Sequence, residues 1–196
     1  MLGGSGQAVP QTTDTALEAE LLRRVAARDE EAFEALYRIY HRRLSRFLMR
    51  LTPDYAIAEE VINDTMHIVW DKAEQYDGRA KVSTWIFGIG YRRGLKALER
   101  QRTRNRYEEA AARDRSTISE PVDETAREDE GQWIDRGLQQ LSTEHRMALE
   151  LAYVAGHSCE EIAAIVGCPV NTVKTRLFHA RKRLRARLPN DAGGGS

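Results

Sequence analysis

At 196 residues the chain has room for one domain of ordinary size or two small ones. Its 30 Lys+Arg residues are matched by 30 Asp+Glu, so any polyanion-binding surface has to come from uneven placement of charge rather than from a net excess. No apolar run is long enough for a transmembrane helix and no charged-then-apolar leader is present, so neither membrane insertion nor secretion is expected.

The opening MLGGSGQAVPQTT is small, polar and glycine-rich, and residues 1–13 are expected to be a disordered tail. Asp14 or Thr15 then begins a helix carrying Leu17, Leu21, Leu22 and Val25. Asp29 caps a second, in which Phe33, Leu36, Tyr37, Tyr40, Leu44, Phe47 and Leu51 trace one stripe. Its outer face carries Arg42, Arg43, Arg46 and Arg50. Thr52-Pro53 ends that helix and starts a third, from about Asp54 to Glu74 and closed by Gly78, with Ala58, Val61, Ile62, Thr65, Ile68 and Val69 inward. Between Asp54 and Asp77 only Lys72 offsets a run of acids that includes Glu59, Glu60 and Asp64, an outer face suited to a basic partner.

A basic loop, GRAKV, leads to a fourth helix that Ser83 is expected to cap, with Trp85, Ile86, Ile89, Leu95 and Leu98 inward. Gly88, Gly90 and Gly94 inside it each cost about 1 kcal/mol against alanine, which close packing against a neighbouring helix would explain. Residues 105–130 are polar, mixed in charge and broken near Ser119-Glu120-Pro121, and read as a linker. A second compact unit starts near Gly131 and holds Trp133, Ile134, Leu138, Leu141, Met147, Leu149, Leu151 and Tyr153. No strand-like alternation appears, so the fold class is all-α: two small helical domains joined by a flexible linker.

The stretch SCEEIAAIVGCPVNTVKTRLFHARKRLRARL reads as a helix, a sharp turn and a second, strongly basic helix. Ser158 caps the first, Gly167 permits the left-handed backbone that ends it, Pro169 prevents continuation, and Asn171 or Thr172 can cap the next. Val173, Leu177, Ala180 and Leu184 share one face, with Thr175, Phe178, His179 and Lys182 roughly opposite. No acid occurs from Asn171 to Asn190, so this helix repels itself unless a polyanion sits opposite. Small Ala163, Gly167 and Val173 fall where a DNA-binding helix-turn-helix needs a close crossing, a tight turn and a core anchor. His157, Cys159 and Cys168 make three candidate zinc ligands, one short of a structural site, and no metal or cofactor is expected. The cysteines read as reduced, small packing residues. Residues 190–196, ending GGGS, are expected to be a disordered, linker-like tail.

Together, FEALYRIYHRRLSRF, AEEVINDTMHIVW and YDGRAKVSTWIFGIGYRR, followed by the segment from LQQLSTEHRMALELAYVAGHS through the basic hairpin, resemble a bacterial sigma factor of the extracytoplasmic-function group. The resemblance runs from Ala16 to Leu188 and implies sigma region 2 at 14–104 and region 4 at 131–189. It implies that Glu59, Glu60, Asp64 and Trp70 dock on the clamp of core RNA polymerase, with a further contact to the flap. Arg79, Lys81, Arg92 and Arg93 fall on the part that melts and holds the −10 promoter element. Thr172, Lys174, Thr175, Arg176, Phe178, His179 and Lys182 fall on the −35 reader; by chemistry Lys174 and Thr172 go to phosphates, and Thr175, Phe178 and His179 to base edges or thymine methyls. Arg92 stands where the family commonly has asparagine, and Gly90 where it has alanine. An anti-sigma factor is an implied partner, with a cytoplasmic location reaching the membrane only through that partner. The resemblance implies a specificity subunit with no catalytic site, and no catalytic constellation or phosphate-binding glycine loop is legible in the residues. The alternative, a dimeric helix-turn-helix regulator that never joins the polymerase, leaves the AEEV…W helix unexplained and lacks a heptad seam.

Overall fold

The computed structural model describes residues 11–52, 54–113 and 141–186, and within them the chain is entirely helical. The N-terminal lobe comprises α1 (Gln11–Ala26), α2 (Glu30–Leu51), α3 (Tyr55–Lys72), a 3₁₀ turn (Ala73–Gln75) and the long α4 (Val82–Arg113). The C-terminal lobe comprises α5 (Thr143–Leu149), which widens into a π turn (Glu150–Val154), then α6 (Cys159–Val166) and α7 (Val170–Arg185).

Local chemistry sets the starts. Asp29 accepts from the Ala32 N–H and Asp54 from the Ala56 and Ile57 N–H groups, so α2 and α3 begin where a carboxylate satisfies orphan donors. The Ala32 N–H, with Arg24 adding to it, holds the Asp29 carboxyl below its usual range. Each cap contributes roughly 1 kcal/mol. Burial weighs more. Leu36, Tyr40, Leu44 and Leu48 of α2 are completely enclosed, and each such side chain contributes about 2 kcal/mol.

Tyr40 shows how the core admits polarity. Its hydroxyl donates to Glu18 Oε2 at 2.7 Å, and Arg43 Nη1 holds Glu18 Oε1 at 2.5 Å, so the buried carboxylate of α1 is satisfied by α2. Burial pushes the Tyr40 phenol well above its ordinary pKa, so it remains a donor.

Two glycines of α4 let it lie close on α2 and α3. A Cβ at Gly90 would stand 3.2 Å from Leu44 Cδ2 and 3.6 Å from Thr65 Oγ1. One at Gly94 would stand 2.5 Å from Leu51 Cδ2 and 3.2 Å from Leu48 Cδ2. The propensity lost at these positions is the cost of that approach.

Helix ends differ from the sequence expectations in three places. Ser83 lies inside α4, buried, because the helix already starts at Val82 and the Trp85 N–H donates to Lys81 O at 3.1 Å. Asn171 and Thr172 lie inside the first turn of α7, which follows Pro169, a residue with a fixed φ and no side-chain cap. Finally, α4 runs on to Arg113, into the stretch expected as linker. Its charged sequence there is made of good helix formers, which propagate an existing helix without needing a core. The rest of the expected linker, and both tails apart from the first turn of α1, lie outside the described residues.

The lobes pack directly on each other. Helix α6 lies across α4, where a Cβ at Gly88 would come 3.8 Å from Ile165 Cα. Phe87 meets the His157 ring edge-on at 5.0 Å. Lys81 Nζ lies 2.7 Å from Glu161 Oε1, and Arg50 Nε lies 3.4 Å from Glu150 Oε1. Tyr91 is buried, and its phenol is raised by that burial.

Two predictions follow from this packing. Gly94→Val should lower stability by about 2 kcal/mol, because overpacking outweighs the relief of a helical glycine; an unchanged or higher urea midpoint would contradict the close approach. The second concerns His157, whose side chain is 2% exposed and whose pKa is lowered from 6.5 to about 4, chiefly by burial. An unfolded imidazole therefore takes up its proton first as pH falls. The stability tied to the neutral ring is complete above about pH 6.5 and drains between there and about pH 4, by on the order of 3 kcal/mol. The His157 C2 proton should titrate near 4 by NMR; a midpoint above 6 would place the ring in water.

Candidate nucleic-acid interface

Helix α6, which leads into the turn before α7, is fixed at both ends. Ser158 Oγ accepts from the Glu161 N–H at 3.2 Å while Glu161 Oε2 accepts from the Ser158 N–H at 2.9 Å, a complete capping box. At the other end Gly167 adopts φ 72°, and its N–H and that of Cys168 both reach Ala163 O. Val173, Leu177 and Ala180 then anchor α7 in the core. That leaves Lys174, Thr175, Phe178, His179 and Lys182 exposed on the outer face. Phe178 is 59% exposed and lies 5.4 Å from the His179 ring. A large aromatic surface held in water within a row of cations suits contact with thymine methyls or base edges in a major groove.

Not every expected residue shares that face. Thr172 and Arg176 are half-buried, and Arg176 Nη1 turns back to Cys168 Sγ at 3.7 Å. In their place the structure adds His145 of α5. Its ring stands 6.4 Å from that of His179, and its Nδ1 is 2.6 Å from Ser142 Oγ. Burial first, then Arg183 and Arg176, lower the His145 pKa, so it sits as a neutral ring at the edge of a basic surface.

The four residues expected to meet a melted strand divide into two pairs. Arg79 and Lys81 lie in the loop before α4, Arg79 paired with Asp77 at 3.3 Å and Lys81 with Glu161. Arg92 and Arg93 line a groove of about 460 Å³ between α3 and α4. Ile68, Ile89 and the half-buried Trp85 supply its apolar wall, and Lys72 and Lys96 join the two arginines. Four cations around an apolar slot, with no carboxylate in the lining, match an unstacked base flanked by phosphates. Trp85, read from the sequence as inward, packs on Tyr76 at 5.5 Å while reaching this wall. Lys96 was within reach of the sequence, one helical turn from Arg92. Lys72 was not, since its membership depends on how α3 crosses α4.

The acidic face of α3 is also sorted. Glu60 and Asp64 are exposed and one turn apart. Glu59 is half-buried, with Oε2 3.1 Å from His41 Nε2. Trp70 packs edge-on against Phe33 at 5.1 Å under the Arg28 guanidinium, so it braces the helix as much as it presents a surface.

Comparison with known proteins covers most of the chain. Residues 36–104 match the family Sigma-70 region 2, and residues 131–184 match Sigma-70, region 4. The ECF RNA polymerase sigma factor RpoE of Cereibacter sphaeroides is 32% identical over 166 residues, covering 82% of this chain and 88% of its own. Among solved structures, the sigma factor RpoE of Bartonella quintana, crystallised with the anti-sigma factor NepR, is 29% identical. It has a TM-score of 0.54 and covers 76% of this chain and 91% of its own. CnrH, solved with the cytosolic domain of CnrY, shares the fold at 21% identity with a TM-score of 0.64, covering 90% and 99%.

The exposed face of α7 carries two chemistries, cationic and aromatic. Lys182→Ala should weaken binding to all duplex DNA alike and shallow the salt dependence by about one unit of slope. Phe178→Ala should leave the slope unchanged and cut affinity for the preferred sequence about tenfold. Equal effects on preferred and random duplex for both variants would remove Phe178 from sequence reading.

Proposed function

Because this chain belongs to the extracytoplasmic-function sigma factors of bacterial RNA polymerase, we infer that it binds the core enzyme and directs it to promoters by recognising −35 and −10 elements. It is a specificity subunit, and we assign it no bond-making step of its own. The observation that carries the assignment is one chain with three charged surfaces of different kinds. These are an acidic pair on α3, a cationic slot between α3 and α4, and an aromatic-and-basic face on α7.

Each surface takes the partner its chemistry fits. Glu60 and Asp64 are the proposed docking pair for a basic surface of core polymerase, with Glu59 and Trp70 holding α3 in register beneath them. Arg79, Lys81, Arg92 and Arg93, with Lys72 and Lys96, hold the melted −10 strand: the cations neutralise phosphates and the wall of Trp85, Ile68 and Ile89 receives an unstacked base. Lys174, Thr175, Phe178, His179 and Lys182 read the −35 duplex, and Thr172 and Arg176 join from the half-buried edge. By likeness to the Bartonella sigma factor, an anti-sigma factor is the proposed restraint. No helix among the described residues is long and apolar enough to cross a membrane, and the proposed site of action is the bacterial cytoplasm.

Run-off transcription with purified core polymerase tests the assignment: promoter-dependent transcripts should appear only when the chain is added. The double change Glu60→Lys, Asp64→Lys should weaken association with core polymerase about tenfold or more and abolish those transcripts, since like charges then face each other. Binding to −35 duplex should be retained. Undiminished association would overturn the docking role of α3.

A further inference from the structure

We propose that the outer face of α2 is a further binding site for duplex DNA, an arginine row that holds phosphates without reading sequence. It is separate from the slot and from the α7 face, and it does not depend on promoter recognition.

Arg38, Arg42, Arg46 and Arg50 follow one another at intervals of four residues, so they share one face of α2. All four are exposed, and α2 carries no acid after Glu34. At 1.5 Å per residue the row is about 18 Å long, with a guanidinium roughly every 6 Å. Its two ends are satisfied within the molecule. Arg38 pairs with Glu34, and Arg50 with the buried Glu150 at the seam between the lobes. The middle is not: among the described residues the guanidinium groups of Arg42 and Arg46 have no ion pair and no hydrogen-bond partner. Like charges one turn apart weaken a helix, so a polyanion laid along this face relieves a cost the free molecule carries. Arg43 flanks the row as a fifth cation, held by Glu18 and lying 5.0 Å from the centre of the Tyr40 ring.

The spacing favours duplex DNA over other polyanions. Each strand carries a phosphate about every 3.4 Å along the axis, so every second one falls about 7 Å on, close to the interval between the arginines. A guanidinium fork also takes phosphate oxygens in pairs. An acidic protein partner would need an apolar centre to its interface. Beside this row only Leu17 and the half-buried Ile39 offer one, in a groove of about 470 Å³ otherwise walled by Glu18, Arg38, Arg42 and Arg43. The row also adjoins the basic loop before α4. Arg43 and Lys81 line one cavity, together with the carboxylates of Glu18 and Glu161 that they already engage.

The full chain and a random-sequence duplex test the site, with no promoter needed. Arg42→Ala with Arg46→Ala should shallow the dependence of log affinity on log salt by about two units, and weaken binding roughly tenfold or more at about 0.1 M salt. Arg42→Lys with Arg46→Lys keeps the charge and should restore most of the slope. Neither arginine has a partner to lose, so the alanine pair should unfold at the wild-type urea midpoint or slightly above it. Lys182→Ala should cost about one further unit of slope on top of the arginine pair, which separates this face from α7. An unchanged slope in the alanine pair overturns the proposal, and so does a loss that the lysine pair fails to restore. Vesicles containing phosphatidylserine supply the competing anionic surface: if the arginine pair governs binding to them while the duplex slope stays the same, the face belongs to a membrane surface and the proposal fails. A protein that shows the expected slopes but directs no transcript would count against the promoter reading alone.

Discussion

Helix α4 packs on all three other helices of its own lobe and on α6 of the other, and the placement of α4 depends on the absence of side chains at two positions. Gly90 lets Leu44 and Thr65 approach, and Gly94 lets Leu51 and Leu48 approach, so α4 sinks against α2 and α3. From that position it forms one wall of the cationic slot, follows the basic loop and presents Gly88 to the other lobe. A helix with three glycines near its start would be weak alone, at about 1 kcal/mol for each. Enclosure of residues such as Ile86 and Phe87 outweighs that cost. The helix is held by its surroundings, and its function is to sit between them.

Charge in this protein works by sorting. With equal numbers of acids and bases, no long-range field draws the whole chain to a polyanion. The acids face outward on α3 and the bases on α7 and around the slot, so each partner meets a local sign. Some charge is also spent internally. Glu18 satisfies Tyr40 and Arg43 in the core, Glu59 engages His41, and Glu161 and Glu150 engage Lys81 and Arg50 at the seam. Those internal pairs cannot be told from solvated charges by composition or periodicity.

That difference marks what could be read from the sequence. The apolar stripe of α2, the Asp29 cap, the Ser158 cap and the Gly167 turn were legible because each rests on residues within a helical turn or two of one another. The exposed row on α7 followed from the same periodicity. The start of α4 was not legible, since Ser83 looks like a cap until tertiary burial claims it. The extension of α4 to Arg113 was hidden because helix-forming polar residues look alike in a linker and in an exposed helix. Lys72, His145 and the whole seam depend on how helices far apart in sequence cross, and no local pattern carries that.

One carboxylate of α6 illustrates a wider consequence. Glu161 starts a helix, touches the His157 imidazole and holds Lys81 of the other lobe, all with two oxygen atoms. Positions 81, 157, 158 and 161 therefore cannot drift independently. A change at Glu161 bears on both the start of α6 and the hold of one lobe on the other. Sequence change at this corner is forced into correlated steps, and a substitution harmless in one relative can be disabling in another that has settled the corner differently. The exposed row of α7 lies outside these four positions, so change along most of it leaves the joint between the lobes in place.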